Sequence, residues 1–160
     1  MKDQKQKVST YAMLVRQIES LIAGEQDETA VLANVAAALH DAFPEEYFWV
    51  GFYIVKNDEL LLGPFQGPVA CYHIARGKGV CGTAWEQRAA IVVSDVERFP
   101  GHIACSSLSR SEIVVPIFDS LGRVRGVIDV DSRELNAFND TDREYLARIA
   151  AIIASQIYSR

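Results

Sequence analysis

The chain has 160 residues, a hydrophobic fraction of 49%, a charged fraction of 23% and a formal net charge of −5. That composition describes a folded domain with enough apolar residues for its own core, and it excludes wholesale disorder. A modest negative charge with no basic half argues against nucleic acid, and no run approaches the roughly 18 apolar residues of a membrane span.

The polar N-terminal stretch, Met1 to Thr10, has no apolar core of the kind a signal peptide carries, so the expected compartment is the cytoplasm. Structural disulfides are rare there. Three cysteines are therefore read as free, metal-bound or redox-active thiols.

Tyr11 to Ala23 places Tyr11, Leu14, Val15, Ile18, Leu21 and Ile22 on one helical stripe, with Gly24 as its stop. Asp27 can cap a second helix that runs to Phe43, and Pro44 blocks its continuation. Tyr47 to Val55 is aromatic and β-branched with both faces apolar, which predicts a central strand covered on both sides. Asn57-Asp58 is turn chemistry, and Glu59 to Leu62 is expected to pair back as a hairpin. Gly63-Pro64 and Gly67-Pro68 break the pattern before a short strand in Val69 to Ile74.

Cys81 to Gln87 reads as a short helix after a Gly-rich turn, and Ala90 to Val93 as a short strand. Ser94 to Ser111 has no sustained period and reads as a long loop, a feature that compact domains usually keep for function. Ile113 to Phe118 and Val124 to Val130 form a hairpin about the turn Asp119 to Gly122. Thr141 with Glu144 has the form of a capping box opening a last helix to about Tyr158. The expected fold is α+β, one domain over residues 1–160, with helices packed on one face of an antiparallel sheet.

The thiols Cys71, Cys81 and Cys105 and the histidines His73 and His102 all fall between residues 70 and 111. A zinc site of three thiols plus His73 or His102 is one reading. The spacings oppose it, because no pair has the short separation of a zinc knuckle. Thiol redox catalysis is another, and it needs a thiolate with a second thiol in reach. An unperturbed cysteine is only a few per cent thiolate at neutral pH, so the nucleophile needs help from its surroundings. His102, Arg110 and loop amides are the available groups.

A second constellation lies across the last hairpin. With the turn centred on Ser120-Leu121, facing residue numbers sum to about 241, so Glu112 is expected opposite Asp129, with Asp131 next on the same face. Arg125 is too far along the strand to neutralise Asp129. Arg110 is expected to face Asp131. Three acids with at most one base await a cation, either a metal ion or a ligand's ammonium group. A loop with an odd number of residues would instead send Glu112 to the opposite face.

Several stretches together resemble a known family. They are Trp49-Val50-Gly51-Phe52-Tyr53, Leu61 to Pro68 with Cys71, Gly77-Lys78-Gly79-Val80-Cys81, Phe99 to His102 with Cys105, Ser111 to Pro116, and Gly126 to Ser132. The layout resembles a GAF domain, and the three-cysteine pattern resembles the free methionine-(R)-sulfoxide reductases built on that fold. The resemblance implies an antiparallel sheet with the N- and C-terminal helices on one face and a long loop insertion carrying the active site. It implies that Cys105 attacks the sulfoxide sulfur, that Cys71 resolves the sulfenic acid as a disulfide, and that Cys81 is an auxiliary thiol. Trp49 and Tyr53 would hold the thioether end, while Glu112, Asp129 and Asp131 would receive the free α-amino group and one of the three would protonate the departing oxygen. Thioredoxin as reductant, a homodimer, and no metal or cofactor complete what it implies. A GAF module that senses a small molecule without catalysis is the competing function, and it has no need of three thiols.

Overall fold

The computed structural model describes residues 1–103 and 105–159. Helix α1 spans Gln4–Ile22, earlier than the apolar stripe begins, because Asp3 caps it and forms a capping box with Gln6. Helix α2 spans Glu28–Ala42, and the Asp27 side chain accepts from the Ala30 amide as expected. Strands β1 (Trp49–Lys56) and β2 (Glu59–Gln66) are joined by Asn57 and Asp58, both with positive φ, which is the two-residue turn that matches strand twist.

Strand β2 runs through Gly63-Pro64, where the sequence suggested a break. The pairing shifts between Gly51 and Tyr53, so two residues of β2 oppose one of β1. A bulge of this kind is where a sheet tolerates a proline, which has no amide to donate. Next come β3 (His73–Ala75), α3 (Gly79–Gln87), β4 (Ile91–Val93) and a short 3-10 turn, Val96–Arg98, inside the long loop. Strands β5 (Ser111–Phe118) and β6 (Val124–Ser132) and helix α4 (Asp140–Ile157) follow. The box at the start of α4 is made by Asn139 and Asp142, two residues before the expected Thr141 and Glu144. Glu144 instead pairs with Arg148 on the helix surface.

All strands join one antiparallel sheet in the order β3-β2-β1-β6-β5-β4. Strand β1 is therefore interior, as its doubly apolar sequence required. Helices α1, α2 and α4 cover one face through Val50, Phe52, Ile54, Ile113, Val115, Ile117, Ile128 and Val130. Helix α3 packs on the other face with Trp49, Tyr53, Val114 and Val127. The helices thus flank the sheet, three on one side and one on the other.

The helix face also holds a buried polar network. Lys7 Nζ lies 2.7 Å from Asp142 Oδ2, and the Tyr11 hydroxyl donates to Asp142 Oδ1 at 2.6 Å. Tyr11 in turn meets the Tyr47 hydroxyl. These contacts tie α1 to the start of α4 and fix both against β1.

Candidate active site

The register of β5 on β6 decides where the acids point. The Asp119 amide donates to the Arg123 carbonyl at 2.8 Å, closing a loop of odd length over Ser120, Leu121 and Gly122, with Gly122 at φ 77°. An odd loop alone would reverse the faces of β6. A bulge immediately after it, where Ile117 pairs with Gly126 but Phe118 with Val124, restores them. Glu112, Asp129 and Asp131 consequently share a face, as expected. The facing pairs are corrected by two residues: Glu112 lies opposite Asp131, and Val114 opposite Asp129. Arg110 does not face Asp131. It precedes β5, is exposed, and its amide bonds to the Ser132 carbonyl.

Across the sheet, Trp49 pairs with Asp131 and Gly51 with Asp129. One row therefore reads Trp49, Asp131, Glu112, and the next reads Gly51, Asp129, Val114. A Cβ built on Gly51 would stand 2.4 Å from Phe65 Cβ and 2.7 Å from the Trp49 ring. The missing side chain is what lets Trp49 lie along the sheet beside the acids, stacked on Phe65 with ring centroids 5.2 Å apart.

These side chains floor a pocket that is open at its mouth. Its walls include Trp49, Tyr53, Cys81, Cys105, His102 and the three acids. Lys78, Gly79 and Val80 bring the first turn of α3 to it, with no side-chain cap on that helix. Gly79 has φ 61°, and a Cβ there would stand 3.0 Å from the Ile103 side chain, so glycine keeps the loop close to α3.

Cys71 and Cys105 are joined by a disulfide, their Cα atoms 5.8 Å apart. Cys105 is exposed and lines the pocket, and Cys71 is half-buried. Cys81 is a buried free thiol beneath them. Trp49 and Tyr53 do more than offer apolar surface: Trp49 Nε1 donates to the Pro68 carbonyl at 3.0 Å, and the Tyr53 hydroxyl to the Cys71 carbonyl at 2.9 Å. Both aromatics anchor the segment that presents Cys71, a role that the sequence reading missed. His73 lies elsewhere, exposed on β3 and 2.7 Å from Glu59, so it is not a partner of the thiols. His102 does reach the site, with Nε2 3.7 Å from Glu112 Oε1.

Burial, and then the neighbouring Asp131 charge, push the Glu112 carboxyl up to about 8. Burial raises Asp129 as well, reinforced by Glu112, and raises Asp131, reinforced by Asp129. Burial and then Asp129 hold the Cys81 thiol well above its ordinary value, so it stays protonated at neutral pH. Burial lowers His102, against an opposing pull from Asp129. The floor is thus a set of acids short of counter-charge, and Asp129 Oδ1 is buried with no hydrogen-bond partner among the described residues.

The fold is that of a GAF domain, whose family model matches residues 25–157. A free methionine-R-sulfoxide reductase of Escherichia coli (strain K12) is 40% identical over 158 residues, covering 96% of this chain and 94% of its own length. GAF domain-containing protein A of Dictyostelium discoideum is 53% identical over 148 residues, 92% of either chain. The X-ray structure of free methionine-R-sulfoxide reductase from Neisseria meningitidis in complex with its substrate has a TM-score of 0.91 at 51% identity. It covers 98% of this chain and 92% of that one. The chain belongs to the GAF-domain free methionine-(R)-sulfoxide reductase family.

Proposed function

We propose that the chain reduces free L-methionine-(R)-sulfoxide to methionine. The carrying observation is a cysteine pair bonded at the mouth of a pocket whose floor holds three under-neutralised acids. In the reduced protein the Cys105 thiolate attacks the sulfoxide sulfur while the oxygen takes up a proton. Methionine then leaves, and Cys105 carries the oxygen as a sulfenic acid. The Cys71 thiol attacks that sulfur, water departs and the disulfide forms. One sulfoxide and two thiols give one methionine, one water and one disulfide.

Glu112 suits the proton transfer, because a carboxyl raised to about 8 is still protonated at neutral pH. Asp129 and Asp131 receive the substrate's ammonium, and the uncapped first turn of α3 receives its carboxylate. A methionine sulfoxide inside a peptide has neither charge, so this floor selects the free amino acid. Trp49 and Tyr53 border the thioether end while holding the Cys71 segment in place. Cys81 is an auxiliary thiol, and its buried, protonated state fits it less well to attack than exposed Cys105.

Recycling needs an external dithiol, which we assign to thioredoxin in the cytoplasm. Among the described residues no helix is long and apolar enough to cross a membrane. A homodimer through the terminal helices is supported by Val8, Met13 and Leu21, large apolar side chains exposed on α1. The test is turnover of free and peptide-bound sulfoxide, both epimers, with a thioredoxin system. The expected result is turnover of the free R epimer alone. Equal rates on a peptide substrate would end the reading of the acid floor.

A further inference from the structure

Cys81 takes no part in the disulfide, yet it sits among the acids. Its sulfur and one oxygen each of Glu112 and Asp129 lie within 4.8 Å of one another, and all three residues are buried. Among the described residues Asp129 Oδ1 is shut off from solvent and has no hydrogen-bond partner. His102 Nε2, 3.7 Å from Glu112 Oε1, adds an imidazole at the rim. An ammonium group calls for oxygen acceptors, and a thiol is a poor one. A sulfur, two carboxylates and an imidazole are instead the donors of a borderline-soft divalent cation, Zn²⁺ foremost. Zinc bonds of about 2.0–2.3 Å require these donors to close up by roughly an ångström.

We infer that Cys81, Asp129 and Glu112, with His102 at the rim, bind one Zn²⁺ ion, and that the ion takes the place of a substrate's ammonium group and blocks the pocket. This differs from a site built on three thiols, since Cys71 and Cys105 are bonded to each other and His73 lies away. Binding stands on the donor geometry alone; blocking rests on the substrate reading above.

The experiment uses the full chain with its disulfide intact, so that neither Cys71 nor Cys105 can ligate. Titration with Co²⁺ is expected to give one equivalent bound, with a thiolate-to-cobalt charge-transfer band that Zn²⁺ bleaches. Cys81→Ser removes the band, and Asp129→Asn weakens Zn²⁺ binding, read by calorimetry, by roughly tenfold or more. Free methionine raises the apparent Kd for Zn²⁺ in proportion to its own concentration. A wild-type protein without the band overturns the site and needs no variant to do so. A band surviving Cys81→Ser, or affinity indifferent to Asp129→Asn, overturns it equally. A Cys81-dependent band with no competition from methionine leaves the metal site and removes the blocking. Turnover of free sulfoxide in chelator-treated buffer reports separately on the proposed function.

Discussion

Glu112 gives the sharpest quantitative test of the acid floor. A carboxyl carried from 4.5 in the unfolded chain to about 8 in the folded one costs roughly 5 kcal/mol to ionise, at about 1.4 kcal/mol per pH unit. Asp129 and Asp131 share the crowding, and only the part of the loss between pH 6.5 and about 8 falls in a clean window, so we expect at most about 2 kcal/mol to be observed there. The sign follows from which state binds the proton more tightly. Folding holds the proton on Glu112, so stability is highest below the unfolded value and falls as pH rises toward the folded one. Burial of His102 works in the opposite direction below its ordinary 6.5, so the informative window is pH 6.5 to 9. The Met1 ammonium, raised by Glu45, also loses stabilisation as pH climbs, but it contributes equally to wild type and variant. Urea unfolding across that window, with the disulfide kept intact, should show wild-type stability falling while Glu112→Gln falls by clearly less. Wild-type stability that is flat or rises from pH 6.5 to 9 would refute the reasoning. Identical slopes in the two proteins would do the same.

Cys105→Ser should abolish turnover of free methionine-(R)-sulfoxide. Cys71→Ser should release about one equivalent of methionine per chain and then stall even with the thioredoxin system present, where the wild type keeps turning over. Gly51→Ala puts a Cβ against Phe65 and the Trp49 ring, so the protein should lose about 1–3 kcal/mol of stability and raise its KM; unchanged values on both counts would mean that β2 yields freely. Asp142→Ala leaves the Lys7 ammonium buried without its partner and should cost about 3–5 kcal/mol by chemical denaturation, whereas Arg148→Ala at a surface pair should cost under about 1 kcal/mol.

The chain's own letters determined most of the architecture. Period and punctuation placed the helices and strands, because Gly24, Asp27, Pro44 and Asn57-Asp58 act within a few residues of themselves. The double apolar face of β1 announced its interior position, since only a strand covered on both sides can bury both. The acids could be grouped on one face by parity alone, although the grouping was reached from a register two residues out. The odd loop at Ser120 to Gly122 and the bulge after it each reverse the face, and their effects cancel.

What lay out of reach were contacts between segments distant in the chain. That Trp49 and Tyr53 anchor the Cys71 segment, that His102 rather than His73 meets Glu112, and that Arg110 does not face Asp131 depend on how loops fold back over the sheet. The same holds for α3 crossing to the face opposite the other helices and setting Cys81 beside Asp129 and Glu112. Sequence spacing reports on neighbours along one strand or helix turn. The burial that raises Glu112 to about 8 comes from segments far apart in the chain closing on one point, and only the tertiary structure brings them there.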